Sequence, residues 1–223
     1  MNDILKDLNL RFDHAALKPE VDEKTIAELC RQAMEHNLYS VAINPVWVKT
    51  AADLLKGSPV KILSVSGFPL GAARTDVKVI EAIKGVSDGA HEIDMVANVG
   101  WLVSGYFREA EDEIRIVREN LPHHVVLKVI IEAGSLSRAQ QIEATRCVVA
   151  AKAQFVKTCT GFFGGATVEQ VQTLKEAADG QIEVKASGGI RTLAQCLKLL
   201  EAGATRLGSS ASVEIMQELA AQR

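Results

Sequence analysis

The stretch Val-Val-Leu-Lys-Val-Ile-Ile at residues 125–131 decides the fold class. Side chains of a β-strand point alternately to its two faces, and here apolar side chains occupy both faces, with Lys128 as the exception. A strand that is apolar on both faces is typical of a parallel sheet covered by helices, because an antiparallel sheet commonly leaves one face in water. The stretch therefore predicts a buried parallel strand.

Similar short runs recur along the chain and alternate with longer amphipathic segments. The predicted strands cover residues 8–14, 39–43, 61–65, 91–96, 125–131, 155–158, 182–186 and 205–207. The segments between them carry apolar residues three and four positions apart, which is the helical period. The predicted helices cover residues 22–36, 45–55, 72–87, 107–120, 137–151, 167–178, 192–202 and 210–221.

The ends of these helices carry the expected boundary residues. The helix starts are marked by Asp22, Pro45, Ser137, Thr167 and Thr192, and the helix ends by Gly57, Gly89, Gly180 and Gly203. Alternating strands and helices predict an α/β fold with a parallel sheet. The count of eight favours a closed (β/α)8 TIM barrel that forms a single domain over residues 1–223. An open, doubly wound sheet is the alternative that periodicity leaves open.

The composition excludes several classes of protein. The 223 residues are 48% hydrophobic and 24% charged, and the formal net charge of −3 gives no reason to expect a nucleic-acid partner. No apolar run approaches the roughly 18–20 residues that span a bilayer, and the first residues lack the apolar segment of a signal peptide. The four cysteines form no Cys-x-x-Cys pair. We therefore expect no membrane partner and a reducing, cytoplasmic location.

Polar residues are concentrated where the predicted strands end, which is the active-site end of a (β/α)8 barrel. Lys157 ends the run Phe-Val-Lys at residues 155–157, and Lys185 stands at the matching place on the next strand. Neighbouring strands lie about 4.8 Å apart, so the two ammonium groups would repel each other, and one would lose its proton near neutral pH. A neutral amine is the nucleophile that forms a Schiff base with a carbonyl carbon.

Carboxylates on the neighbouring strands allow a simpler interpretation. Asp94 lies in the apolar run at residues 92–96, where an unpaired charge is costly, so we expect it to pair with a lysine. The same pairing would let it move protons through water. Glu92 lies on the same face of its strand, and Lys128 and Glu132 are interpreted as structural members of the ion-pair network. From spacing alone, a purely structural ion pair remains an alternative to a catalytic amine.

Glycine-rich loops follow the last three predicted strands. Bare backbone N–H groups beside a helix start favour an anion, and the late loops of these barrels often bind phosphate. Tight turns without a ligand are the alternative. The predicted phosphate-binding residues are Thr160, Gly161, Ser187, Gly188, Gly189, Gly208, Ser209 and Ser210, and Arg191 and Arg206 either assist them or lie on the surface.

No metal or nucleotide motif accompanies these loops. The histidines show neither His-x-His nor His-Glu-x-x-His spacing, so the ligands for a metal-dependent mechanism are missing. The Gly-x-Gly-x-x-Gly dinucleotide motif and the Walker A motif are also missing. We therefore expect neither a metal ion nor the usual dinucleotide or nucleoside-triphosphate site.

At these same residues the sequence resembles the deoxyribose-phosphate aldolase family, over nearly the whole chain. The most specific matches are Phe-Val-Lys-Thr at 155–158, Thr-Gly-Phe at 160–162 and Val-Lys-Ala-Ser-Gly-Gly-Ile-Arg at 184–191. Further matches are Phe-Asp-His at 12–14, Leu-Lys-Pro at 17–19, Asn-Pro at 44–45, Gly-Phe-Pro-Leu-Gly at 67–71, Glu-Ile-Asp-Met-Val at 92–96, Asn-Val-Gly at 98–100 and Leu-Lys-Val-Ile-Ile-Glu at 127–132.

The resemblance implies a class I (Schiff-base) aldolase that reversibly cleaves 2-deoxy-D-ribose 5-phosphate to D-glyceraldehyde 3-phosphate and acetaldehyde without a cofactor. It implies that Lys157 is the Schiff-base lysine and that Lys185 is the second lysine, which favours the neutral amine and joins a proton relay. It further implies that Asp94 is the acid/base partner, acting through water, and that Asp13 supports this network. The resemblance is also compatible with a homodimer.

The chain departs from the family pattern near the expected substrate. Ala15 replaces a Thr found in many members, Ala42 replaces a common Cys, and the loop at residues 161–165 is one residue shorter than in many members. These changes keep open an imine-forming aldolase for another small aldehyde or sugar phosphate, and a non-catalytic sugar-phosphate binding protein. Cys159 replaces a Ser and is interpreted as a small buried side chain, with a reactive thiol as the alternative.

Overall fold

A computed structural model describes residues 5–222 and shows a closed barrel of eight parallel strands. The strands are β1 (Phe12–Ala16), β2 (Ser40–Ile43), β3 (Lys61–Ser66), β4 (Glu92–Val96), β5 (Val126–Ile130), β6 (Phe155–Lys157), β7 (Glu183–Ser187) and β8 (Arg206–Ser209). They neighbour one another in chain order, and β8 pairs with β1 to close the barrel. The predicted (β/α)8 barrel is confirmed, and the open sheet is wrong.

Helices surround the barrel on its outer side. The α-helices with both ends described are α1 (Glu23–Glu35), α2 (Val48–Leu54), α3 (Thr75–Ser87), α4 (Val99–Ser104), α5 (Phe107–Glu119), α6 (Arg138–Ala150), α7 (Val168–Ala178), α8 (Leu193–Glu201) and α9 (Ser212–Ala221). Short 3₁₀ turns lie at Leu8–Arg11, Pro45–Trp47 and Ala133–Ser135. None of the helices in residues 5–222 is long and apolar enough to cross a membrane.

The first strand begins later than the sequence pattern predicts. Residues Leu8–Arg11 form a 3₁₀ turn in which Leu8 is buried and Leu10 is exposed. Alternating apolar residues over such a short run fit either conformation, so periodicity could not separate the turn from the strand. The strand proper starts at Phe12, whose side chain belongs to the core.

Helix α4 was not predicted, because its six residues give too short a pattern to read a period. Its boundaries are nevertheless locally encoded. The Asn98 side chain accepts a hydrogen bond from the Trp101 N–H at 3.2 Å, which caps the start of the helix. Gly105, at φ 78°, ends it in the left-handed region.

The predicted starts of three later helices are confirmed as capping boxes. Ser137, Thr167 and Thr192 each accept a hydrogen bond from the backbone N–H three residues later. The residue at that position is a glutamine in each case, and its side chain accepts in return from the cap residue's backbone N–H. Each of these capping boxes fixes the start of its helix through local hydrogen bonds.

The main core lies between the strands and the helices, whereas the inside of the barrel holds buried charged side chains beside a small apolar cluster of Ala42, Leu63 and Val65. On β5, Leu127 and Val129 point outwards into the apolar core, and Lys128 points inwards. The same alternation on β4 sends Ile93 outwards and Asp94 inwards. Charged side chains therefore occupy positions that branched apolar residues fill in most such barrels.

A buried ion pair fastens the loop after β4 to the outer helices. Lys78 on α3 donates to Glu113 on α5 at 2.9 Å and to the Val96 carbonyl at 2.8 Å, and both charged side chains are fully buried. Glu113 also accepts from the Asn98 N–H at 3.0 Å. Burial raises the pKa of Glu113 and lowers that of Lys78, so the pair is held by its geometry against a desolvation cost.

Replacement of Glu113 by Ala is expected to lower the free energy of unfolding by about 3–5 kcal/mol, because it leaves Lys78 buried and unpaired. Urea denaturation would measure the change. The matched control is Glu176→Ala, which removes the exposed pair with Arg138 and should cost about 1 kcal/mol or less. Equal losses in the two variants would show that the buried pair has no special structural role.

Candidate active site

The two lysines lie side by side at the same end of the barrel. Lys157 and Lys185 are direct partners in the ladder between β6 and β7, so their side chains project from the same level of the sheet. Each donates to the same oxygen, Oδ2 of Asp94, at 2.7 Å. One carboxylate oxygen thus bridges two amines that the sequence placed on neighbouring strands.

Asp94 is the centre of this arrangement. Its other oxygen, Oδ1, accepts from Lys128 at 3.2 Å, so three amines surround one buried carboxylate. Burial by itself would raise the pKa of Asp94, but the charges of the three lysines outweigh it and hold the pKa well below its ordinary value. Asp94 is therefore ionised in the resting site at neutral pH.

Asp13 on β1 supports the second lysine. Its Oδ2 lies 2.5 Å from the Lys185 amine, and its Oδ1 accepts from the Ser40 hydroxyl at 2.7 Å and from Arg206 at 2.8 Å. Burial would raise the pKa of Asp13, yet the surrounding cations lower it far below its usual range. Lys185 is consequently held between two carboxylates, whereas Lys157 contacts only Asp94 among the described carboxylates.

A deeper layer of charge lies beneath these residues. Lys128 donates to Glu92 at 2.5 Å, in keeping with its structural interpretation, and Arg206 contacts the same carboxylate at 3.3 Å. The Arg206 guanidinium also stacks 3.6 Å from the centre of the Tyr39 ring. Arg206 is thus buried under the lysines and is far from the surface position that the sequence left open. Arg206 lies two residues before Gly208 on β8, so both positions face the inside of the barrel. This alternation is the sequence signal that could have located Arg206.

The charges inside the described barrel do not cancel if every group is ionised. Four basic side chains, Lys128, Lys157, Lys185 and Arg206, face three carboxylates, Asp13, Glu92 and Asp94. An unbalanced buried cation is costly, and loss of one proton removes it. Burial lowers the pKa of Lys185 to about 8, the charges of Lys157 and Lys128 act in the same direction, and Asp13 and Asp94 oppose them. Lys185 therefore gives up its proton at about pH 8.

A cavity of about 830 Å³ opens above the lysine pair. Lys157 and Lys185 both line it, while Asp13 and Asp94 lie behind them and are fully buried. The glycine-rich loops that the sequence singled out all line this cavity, through Thr160, Gly161, Ser187, Gly188, Gly189, Gly208, Ser209 and Ser210. Residues 5–222 contain no group of three or more His, Cys, Asp or Glu side chains that could hold a metal ion.

Two of the hydroxyl groups in these loops are engaged by backbone carbonyls. The Ser187 hydroxyl donates to the Cys159 carbonyl at 2.5 Å, and the Ser209 hydroxyl donates to the Ile190 carbonyl at 2.7 Å, so both brace the loops. Ser210 is exposed at the rim. At Gly188, with φ 89°, a Cβ atom would come within 2.8 Å of the Gly164 carbonyl, which explains why glycine is needed there.

The residues that depart from the family pattern also lie around this cavity. Ala15 and Ala42 are direct partners in the ladder between β1 and β2, and both line the cavity. Cys159 is buried, and its thiol donates to the Ser187 carbonyl at 2.8 Å. Burial raises the pKa of the Cys159 thiol, which fits a small packed side chain and not a reactive thiolate.

Comparison with known proteins agrees with this geometry. The family model described as DeoC/LacD family aldolase matches residues 8–217. The deoxyribose-phosphate aldolase of Natranaerobius thermophilus is 47% identical over 214 residues, which cover 96% of this chain and 97% of the relative. Among solved structures, the aldolase QR15 is similar with a TM-score of 0.92 and 39% identity, covering 97% of each chain.

A more distant solved structure has the same fold. The deoxyribose phosphate aldolase from Aeropyrum pernix, described as a tetramer, is similar with a TM-score of 0.88 and 29% identity, covering 98% of this chain and 93% of the other. The family match spans nearly every strand and helix of the barrel, including both lysines. The chain therefore belongs to the DeoC/LacD family of aldolases.

Proposed function

We propose that this chain is a class I aldolase that reversibly cleaves 2-deoxy-D-ribose 5-phosphate to D-glyceraldehyde 3-phosphate and acetaldehyde. The observation that carries the proposal is the pair of amines, Lys157 and Lys185, on one oxygen of Asp94 at the floor of a cavity. Crowded, desolvated amines supply the neutral nucleophile that imine formation requires. The family and its named relatives support the same reaction.

Lys157 is the proposed nucleophile, because it is the less restrained of the two amines. Lys185 is the amine that loses its proton at about pH 8, and its contacts with Asp13 at 2.5 Å and Asp94 at 2.7 Å place it to take up the proton of Lys157. A proton that moves from Lys157 to Lys185 through Asp94 Oδ2 leaves Lys157 neutral and keeps the buried charge balanced. Asp13 then acts as a support that fixes Lys185.

The proposed reaction begins when the Lys157 amine attacks C1 of the open-chain sugar. Loss of water from the addition product gives an iminium ion, which withdraws electrons from the neighbouring carbons. A base removes the proton of the C3 hydroxyl, the C2–C3 bond breaks, and glyceraldehyde 3-phosphate leaves while the bonding electrons form an enamine. Protonation of the enamine carbon and addition of water release acetaldehyde and restore the amine.

Asp94, Lys185 and a water molecule are the proposed carriers of these protons. The iminium nitrogen is the electron sink, so the reaction as proposed needs neither a metal nor an organic cofactor. The phosphate is proposed to bind at the glycine-rich rim, where backbone N–H groups and helix starts favour an anion. The residues assigned there are Thr160, Gly161, Ser187, Gly188, Gly189, Gly208, Ser209 and Ser210.

We further propose that the whole chain is one catalytic domain that works in the cytoplasm as a homodimer. The four cysteines are all free and buried, which fits a reducing compartment. The homodimer rests on the likeness to the family alone.

Acetaldehyde followed by borohydride is expected to fix a two-carbon adduct on Lys157, because reduction converts the imine to a stable secondary amine. Intact mass and peptide mapping would locate the adduct. Lys157→Met should give none, and the exposed Lys198 should stay unmodified in the same sample. An unchanged intact mass of the wild-type protein would refute the Schiff-base mechanism.

Lys185→Met is expected to reduce kcat at pH 7 by about 10²–10⁴-fold, the usual contribution of a positioned acid or base. The wild-type rate should rise as pH passes through about 8, because Lys185 loses its proton there and the pair then holds a neutral amine. The variant lacks the group that titrates at about 8, so the rise near that pH should be lost. Superimposable pH–rate profiles for the two proteins would contradict the coupling.

A further inference from the structure

Glu132, the second residue after β5, adopts an unusual backbone conformation. Its φ of 50° and ψ of 58° place it in the left-handed region, and its side chain is buried. Few residues other than Gly, Asn and Asp are found there, because the Cβ atom crowds the backbone. Such strain persists only where the surrounding structure holds it, and it is concentrated at functional sites.

The contacts of Glu132 explain what holds it. Strand β6 ends at Lys157, but the segment after β5 still pairs with the residues that follow β6. The Ala133 N–H donates to the Thr158 carbonyl at 2.8 Å. Beyond Thr158 the Glu132 side chain, and not the backbone, makes the connection. Its Oε2 accepts from the Thr160 N–H at 3.1 Å and from the Thr160 hydroxyl at 2.8 Å. Hydrogen bonds to a charged acceptor are among the stronger ones in proteins.

Thr160 transmits this restraint to the edge of the cavity. Its hydroxyl oxygen accepts from the Phe162 N–H at 3.1 Å. The Phe162 ring then meets the Phe68 ring edge-to-face, with the ring centres 5.3 Å apart. Residues 160–162, here called the wall loop, line the cavity, whereas Glu132 is not among the described residues that do.

We propose that Glu132 is a positioning residue that fixes the wall loop in the shape required to bind the sugar phosphate. It acts through Thr160 and does not touch the substrate. It therefore controls binding of the phosphorylated substrate, while the formation of an imine between Lys157 and a small aldehyde does not depend on it. This inference rests on the proposed function of the same site.

Glu132→Gly is the decisive variant, because it removes the carboxylate and also relieves the backbone strain. The expected result is a rise in KM for 2-deoxyribose 5-phosphate of about tenfold or more, with a smaller change in kcat and without loss of thermal stability. Trapping of acetaldehyde on Lys157 by borohydride should remain at the wild-type level. An unchanged KM, or a loss of stability that accompanies an equal loss of trapping, would overturn the proposal.

Two further variants test the route through Thr160. Glu132→Gln keeps an acceptor oxygen and should restore a KM near that of the wild type. Thr160→Val removes the hydroxyl and should raise KM, and the double variant with Glu132→Gly should be no worse than the more affected single variant. Additive effects, or a Gln variant as impaired as the Gly variant, would contradict the assignment.

The matched control is Ser135→Ala, which alters an exposed side chain in the same turn and should leave KM unchanged. Trapping and turnover of the wild-type protein, measured beside it, distinguish failure of the proposed function from failure of the positioning role. Absence of trapping and turnover in the wild type refutes the proposed function itself. Wild-type activity together with an unaffected Glu132→Gly variant refutes only the positioning role.

Discussion

The sharing of one Asp94 oxygen by two amines is the interaction on which the rest of the site depends. It is possible only inside a closed barrel, because Asp94 on β4 must reach side chains of β6 and β7. The carboxylate allows the amines to be buried, and burial together with their mutual repulsion makes one proton easy to remove. Reactivity and burial therefore have the same physical origin.

The surrounding residues hold this centre in a fixed geometry. Asp13 and the layer of Lys128, Glu92 and Arg206 below it balance charge and leave little freedom to move. The apolar core between strands and helices carries the fold, so the barrel interior is free to hold polar groups. The proposed catalytic residues lie where charged side chains replace the branched apolar residues that usually fill such barrels.

The sequence predicted most of the fold, because strand and helix periods differ and the eight-fold alternation is regular. It also predicted which residues share the active end, since parallel strands all end at the same rim. The depth of Arg206 could not be read, because it depends on how β8 closes against β1. The conformation of Glu132 was equally hidden, since a glutamate carries no local signal for the left-handed region.

The edge-to-face contact of Phe68 with Phe162 joins loops that follow β3 and β6, strands that are not neighbours in the barrel. The two rings belong to distant parts of the chain, and two strands, β4 and β5, lie between β3 and β6. Contacts of this kind carry a large loop-closure entropy and form slowly. The mouth of the cavity thus needs both halves of the chain, and an isolated half-barrel would have the lysines without a complete entrance.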